Sequence, residues 1–149
     1  MIRLATHQDV PAIVALGAAF FSESPAYAPL LYAPEKIEAL AIALIESPTG
    51  FMRVIDNGTV VGMMAGMVNE HWAGHALVAS EIVLFVGPDA RGQVHAGQLV
   101  REFLEWGRSK GCYKVMAGTS SGVLPELCAK LYERCGFHRS AIGLEHVYV

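Results

Sequence analysis

The sequence predicts an α/β domain of the α+β kind, a central mixed sheet with helices on both faces. Three observations predict it. Strand-like and helical-period segments follow in the order β-α-α-β-β-β-α-β-α-β-β, with no repeat, low-complexity tract or linker between them. Asn57-Gly58 joins two apolar runs as a two-residue hairpin, so that part of the sheet is antiparallel. Ser80 to Thr119 reads strand, helix, strand, which gives a parallel pair through a right-handed crossover. With 149 residues, the chain suits one domain with one core, 1–149.

Taken in order, "IRLA" is a short strand. Thr6 is a helix N-cap with Asp9 three residues on, a variant of the capping box. Ile13, Leu16 and Phe20 then fall at helical spacing, to about Ser22. "SESPAYAPLLYA" holds prolines and tyrosines and reads as a loop. Pro34 suits a first helical position, and Ile37, Leu40, Ala41 and Leu44 mark a helix that stops before Pro48. "FMRVID" and "TVVGMMAGMV" form the hairpin, and "NEHWAGHALVA" is a polar loop. "SEIVLFV" is a buried strand closed by Gly87-Pro88, in which simple alternation puts Glu81, Val83 and Phe85 on one face. The helix from about Ala96 to Lys110 turns Leu99, Val100, Phe103, Leu104 and Gly107 inward and stops at Gly111. "YKVMAGT" is a strand and Pro125 to Arg134 a helix. "FHRSAIGLEHVYV" reads as a closing hairpin.

The composition narrows the function. Hydrophobic residues make up 53% and charged residues 17%, which excludes a disordered chain. No stretch of about eighteen apolar residues runs free of Gly, Pro or charge, so no spanning helix and no membrane role is expected. The start lacks a signal-peptide pattern, and the expected location is cytoplasmic. Net charge is −3 with scattered basic residues, so no nucleic-acid partner is expected. Cys112, Cys128 and Cys135 are odd in number and form no C-x-x-C pair, which predicts reduced, mostly buried thiols. His71 and His75 in "EHWAGH" stand one helical turn apart. Gly74 breaks any helix there, the order is not H-E-x-x-H, and no third ligand is evident, so no metal is expected.

The chemistry is expected at "RGQVHAG". A helix start carries amide N–H groups without intrahelical partners and the positive end of a dipole, and small residues let an anion approach. Arg91 adds a cation, Gly92 and Gly97 permissive positions, and Ala96 a small one. Neither G-x-x-x-x-G-K-[ST] nor G-x-G-x-x-G is present, so nucleotide loops of those kinds are excluded.

"FVGPDARGQVHAGQLVREFLEWGRSKG" resembles the acyl-coenzyme-A loop of the GNAT superfamily of N-acetyltransferases, R-x-x-G/A-x-G/A after a V-x-P strand end. "AKLYERCGF" is similar to that superfamily's late "LYekxGF" block. The two blocks and the order of elements cover nearly the whole chain. The resemblance implies a mostly antiparallel sheet with a splayed parallel pair, acetyl-CoA as co-substrate, and an amine acceptor. It places the pyrophosphate on Arg91, Gly92, Gln93, Val94, His95, Ala96 and Gly97. It lays the thioester and pantetheine along the backbone of Leu84, Phe85 and Val86, with hydroxyls such as Ser120 nearby. Tyr132 becomes the proton donor to the leaving thiolate, and Glu81 the general base, with Glu70, His71 and His75 as other choices. The acceptor would lie between the first two helices and the loop from Glu70 to Val78, lined by Tyr27, Tyr32, His71 and Trp72.

Plainer readings stand beside these. Tyr132 can be a packed helix residue with a wet hydroxyl, and Glu81 a strand-end surface ion pair. Val94 stands where the family usually has glycine. A positive φ there would strain a β-branched residue and turn its amide away. Pro125 replaces an asparagine that often precedes the LY block. The alternative function is thus a domain of the same fold with weak or no coenzyme A binding, acting as a binding or regulatory protein. A different acyl donor is a further option, and a homodimer through the closing strands or a helix face is compatible with the pattern.

Overall fold

The structure, a computed structural model, describes residues 1–148. Its strands are β1 (Ile2–Leu4), β2 (Gly50–Asp56), β3 (Val60–Glu70), β4 (Leu77–Val86) and β5 (Lys114–Met116). Its helices are α1 (Val10–Glu23), α2 (Pro34–Glu46), α3 (His95–Ser109) and α4 (Pro125–Arg134). The strands form one sheet in chain order, antiparallel from β1 to β4 and parallel between β4 and β5.

The local signals act as expected at both ends of the first helical segment. The Asp9 carboxylate accepts the Thr6 backbone N–H at 2.8 Å, closing the capping box over a single 3-10 turn that leads into α1. Arg3 bonds both oxygens of Asp9 and one of Asp56, which fastens β1 to β2 and to the start of α1. The β2–β3 turn is one residue longer than a two-residue hairpin. Asp56 pairs with Val60, and Asn57 N–H donates to Thr59 C=O across a three-residue loop. The expected polar loop after β3 shrinks, because β3 runs to Glu70 and β4 starts at Leu77.

Each face of the sheet has its own core. On one, α1 and α2 cover Met52, Val54, Met63, Ala65 and Phe85. On the other, α3 covers Phe51, Ile55, Met64, Val68 and Ala79 with Leu99, Val100 and Phe103. Gly66 decides how closely α3 sits. A Cβ there would lie 2.5 Å from the Phe103 ring, so only glycine lets that ring rest on the β3 backbone.

Two features depart from the sequence reading. First, β4 carries a bulge. Val83 is opposite Ala65 and Glu81 opposite Gly66, so Ile82 has no partner on β3. The extra residue reverses the alternation. Leu77 and Ala79 before it, and Leu84 and Val86 after it, pack on the α3 side, whereas Val83 and Phe85 pack under α1 and α2. Glu81 therefore does not share a face with Val83 and Phe85. Second, the closing hairpin expected over residues 137–149 is absent among the described residues: no strand is present from residue 137 to 148, and Val149 lies outside them. Arg139 is tied to Glu126 and Glu133 of α4, and Ile142 and Leu144 are 90% and 95% exposed. A strand needs a partner edge, and β5 offers only three residues.

The same brevity shapes the site. β5 pairs with Val78, Ala79 and Ser80 alone. From Glu81 to Val86 the β4 edge has no neighbouring strand on that side, and the parallel pair opens into a cleft.

Candidate active site

The cleft has a volume of about 430 Å³. Its floor is β4 from Glu81 to Val86, and its walls are Arg91 to Gln93, Ala96, the loop from Gly118 to Ser121, and α4. The loop is held by Ser24, a buried residue whose hydroxyl donates to the Ser121 carbonyl. Leu124 enters α4 with φ at 45°, a strained left-handed geometry for a leucine and more so before Pro125, and its side chain borders the cleft.

Tyr132 is 6% exposed, and its ring meets Phe137 edge to face at 5.1 Å. Its hydroxyl is buried with no hydrogen-bond partner among the described residues. Such an orphan costs free energy unless something brought to the site completes it. Burial and the nearby Glu81 carboxylate raise its pKa far above the ordinary phenol range, so the proton stays on oxygen at neutral pH. Glu81 reaches across the splay, where its Oε2 accepts the Gly118 N–H at 3.2 Å. Burial pushes its carboxyl up to about 7, only partly offset by that bond. A protonated phenol and a carboxyl poised near neutrality thus share one cleft.

The phosphate-loop candidates separate. Gly92 takes the positive φ, +80°, with open space where a side chain would be. Val94 has φ −70° and caps α3 with ordinary helical geometry, so the strain expected at this valine does not arise. No side chain caps α3, and its first turn closes with Gln98 N–H donating to Val94 C=O, leaving the leading amides free of helical partners. Arg91, Gly92, Gln93 and Ala96 line the cleft, and Val94, His95 and Gly97 do not. His95 faces Gln98 at 3.2 Å, and the Gly97 carbonyl accepts a hydrogen bond from the thiol of Cys135, the residue that ends α4. The Arg91 guanidinium is already engaged. It donates to both Glu23 oxygens at 2.7 Å and to the Val86 carbonyl at 2.8 Å, and lies over the Phe85 ring.

The structure brings Leu84, Phe85, Val86, Ser120, Glu81, Tyr132 and Tyr27 to the cleft. It places three other candidates elsewhere. The Tyr32 hydroxyl donates to the Val14 carbonyl at 2.7 Å and braces the α1–α2 loop. His71 and Trp72 sit on the β3–β4 turn, with Trp72 93% exposed, and neither lines the cleft. The turn ends at Ala76, so it lies at the far end of β4 from the open edge. Glu70 and His75 face each other on it at 3.5 Å. Glu23 and Cys128 escaped the sequence reading. Cys128 precedes Tyr132 by one helical turn and lines the same wall, a spacing visible in the sequence; Glu23 meets Arg91 across 68 positions, which no local pattern signals. The cysteines are half-buried rather than buried. Among the described residues no group of three or more His, Cys, Asp or Glu is placed to hold a metal, and no helix is long and apolar enough to cross a membrane.

Comparison with known proteins decides the family. The model of the acetyltransferase (GNAT) family matches residues 16–137. The chain belongs to the GNAT acetyltransferase family. Its fold is similar to that of a transcriptional regulator from Bacillus halodurans C-125, at 21% identity, with 99% of each chain covered and a TM-score of 0.79. AAC(6')-Iy, solved with a bisubstrate analogue, is similar at 16% identity, TM-score 0.79, over 100% of this GNAT chain and 97% of that one. Glucosamine-6-phosphate N-acetyltransferase from Arabidopsis thaliana follows at 14% identity, TM-score 0.75, over 100% and 98%. At these identities the likeness is one of fold. Among curated proteins no sequence matches.

Proposed function

We propose that this GNAT protein is an acetyl-CoA-dependent N-acetyltransferase that moves the acetyl group directly to a primary amine. The observation that carries the reading is the buried, unpartnered Tyr132 hydroxyl on the wall of the open β4 edge, with Glu81 in the same cleft. The residues present fit coenzyme A: an open strand edge for the pantetheine amides, an uncapped helix start beside Gly92 for the pyrophosphate, and an orphaned donor for the sulfur. Acetyl-CoA supplies the activated acyl group.

The chain's own residues do the rest. Glu81, ionised, takes the proton that an alkylammonium must lose before its nitrogen can attack, directly or through a water. The backbone N–H of Leu84, which alternation turns to the open edge, faces the charge that develops on the carbonyl oxygen. Tyr132 gives its proton to the departing thiolate and recovers one on turnover. Arg91, to hold a phosphate with its side chain, exchanges Glu23 for it.

The alternative, a domain that binds coenzyme A weakly or not at all, draws on Val94 and on Pro125 in place of an asparagine; φ at Val94 is −70°, which removes the first ground. Thermal shift separates the two. Acetyl-CoA at saturating concentration should raise the melting temperature, and no rise at millimolar ligand would remove the enzyme reading.

A further inference from the structure

A second cavity lies beneath α1 and α2, on the sheet face opposite α3. It measures about 270 Å³, at the small end of the range for ligand pockets, roughly 300–1,000 Å³. Four residues, Phe20, Tyr27, Ile82 and Val83, line both this cavity and the coenzyme cleft, so the two spaces adjoin at the β4 bulge. Beyond that junction the walls come from aliphatic and aromatic side chains of α1, α2 and the strands, among them Met52 and Met63. No charged side chain lines the cavity, and its one side-chain hydroxyl belongs to Tyr27 at the junction. Leu30, a wall residue in the α1–α2 loop, is 59% exposed, so this wall reaches the surface away from the cleft. The loop is pinned by the Tyr32 hydroxyl on Val14, so the space is held open by structure.

We propose that this cavity seats the body of the acceptor, and that the acceptor is a small monoamine with an aliphatic or aromatic body. The proposal rests on the acetyltransferase reading for the site at which the amine reacts. A wall without charge, whose one side-chain hydroxyl sits at the junction, can take apolar surface out of water but cannot repay a hydroxyl or second ammonium buried deeper for its lost hydration. Amino sugars and polyamines carry such groups along their whole length, and a monoamine has only one. The carboxyl that can receive an ammonium, Glu81, lies on the cleft side of the junction. A body in the apolar cavity with its nitrogen at the bulge satisfies both ends. An acyl chain on the donor has similar chemistry and is the competing occupant. A wall that reaches the surface at Leu30, away from the cleft, favours the acceptor, since a chain arriving with coenzyme A enters from the cleft.

Methyl NMR of the full chain tests this without requiring turnover. Phenethylamine or hexylamine, added with coenzyme A present, should shift the Met52 and Met63 methyl resonances and leave the exposed Met116 unmoved. In acetyl-CoA assays the same amines should exceed glucosamine and spermidine by at least tenfold in kcat/KM. Leu40→Trp, at a half-exposed wall position that tolerates the larger ring, should weaken phenethylamine binding at least tenfold while the acetyl-CoA thermal shift is retained. Silent Met52 and Met63 signals at millimolar amine, or a preference for glucosamine or spermidine, would overturn the proposal. So would an octanoyl-CoA that shifts both methyls where the amines do not. Methyl shifts with no coenzyme stabilisation would sink the acetyltransferase reading and leave the amine pocket standing.

Discussion

The two faces of the sheet are built to different standards. On the α3 face, Ile55, Met64, Ala79, Leu99, Val100 and Phe103 are all 0% exposed, and three aromatic rings, Phe51, Phe103 and Trp106, cluster with Phe103 resting on Gly66. On the α1–α2 face the side chains are as apolar, yet they enclose a cavity. Packing to native density is what stabilises a core, so an unfilled apolar space on one side only gives up dispersion contacts there. One face holds the fold together, and the other keeps room for a ligand. Tyr132 links the closed core to the coenzyme cleft, with its ring in the one and its hydroxyl toward the other.

Substitutions can break or sharpen this contrast. The largest effect is expected in the closed face. Phe103→Ala should lose about 3–5 kcal/mol of stability by chemical denaturation, and a loss below about 1 kcal/mol would mean the two faces are packed alike. Next comes the residue that links the closed core to the cleft. Tyr132→Phe keeps the ring and should lower turnover by at least about tenfold with coenzyme affinity little changed; unaltered turnover rejects the proton-donor role.

Glu81 gives a pH signature. Its folded pKa, about 7, lies above its ordinary 4.5, so the fold favours the protonated form. Its stabilising contribution is complete below 4.5 and is lost as pH rises toward 7. Melting temperature should therefore fall across that window, while turnover climbs as the base ionises. Glu81→Gln should flatten both limbs, and an unchanged pH–rate limb would move the base elsewhere. Two loop substitutions should have the smallest effects and differ from each other. Gly92→Ala, at φ +80°, should cost about 1–2 kcal/mol despite the free space around it. Val94→Gly, at φ −70°, should leave coenzyme affinity within about twofold. The reverse order would restore Val94 as the strained position of the loop.

What the sequence made legible was local. The Thr6–Asp9 cap, the prolines heading α2 and α4, and the 3.6-residue stripe of α3 each specify their element within a few positions, and each is present. The two blocks around Arg91 and Tyr132 carried the family. What stayed hidden depends on distant partners. Glu23 and Arg91 meet only through the fold. The last segment alternates like a strand but finds no edge long enough to pair with. The bulge at Ile82 leaves no mark in an all-apolar run, where each residue suits either face. Nor could the pattern distinguish a filled core from an empty one, because Ile37, Leu40 and Ala41 read as buried helix stripe in both cases.

The unpaired Ile82 also makes this strand sensitive to register at constant length. Glu81 and Val83 lie on opposite faces because the residue between them stands outside the ladder. Were Ile82 to pair with β3, unbroken alternation would swing Glu81 onto the face of Val83 and Phe85, aiming a carboxylate into apolar space. Deleting Ile82 would instead remove the bulge and leave both faces as they are. The vulnerable property here is which residue stays out of the ladder, a matter of register to which composition is blind.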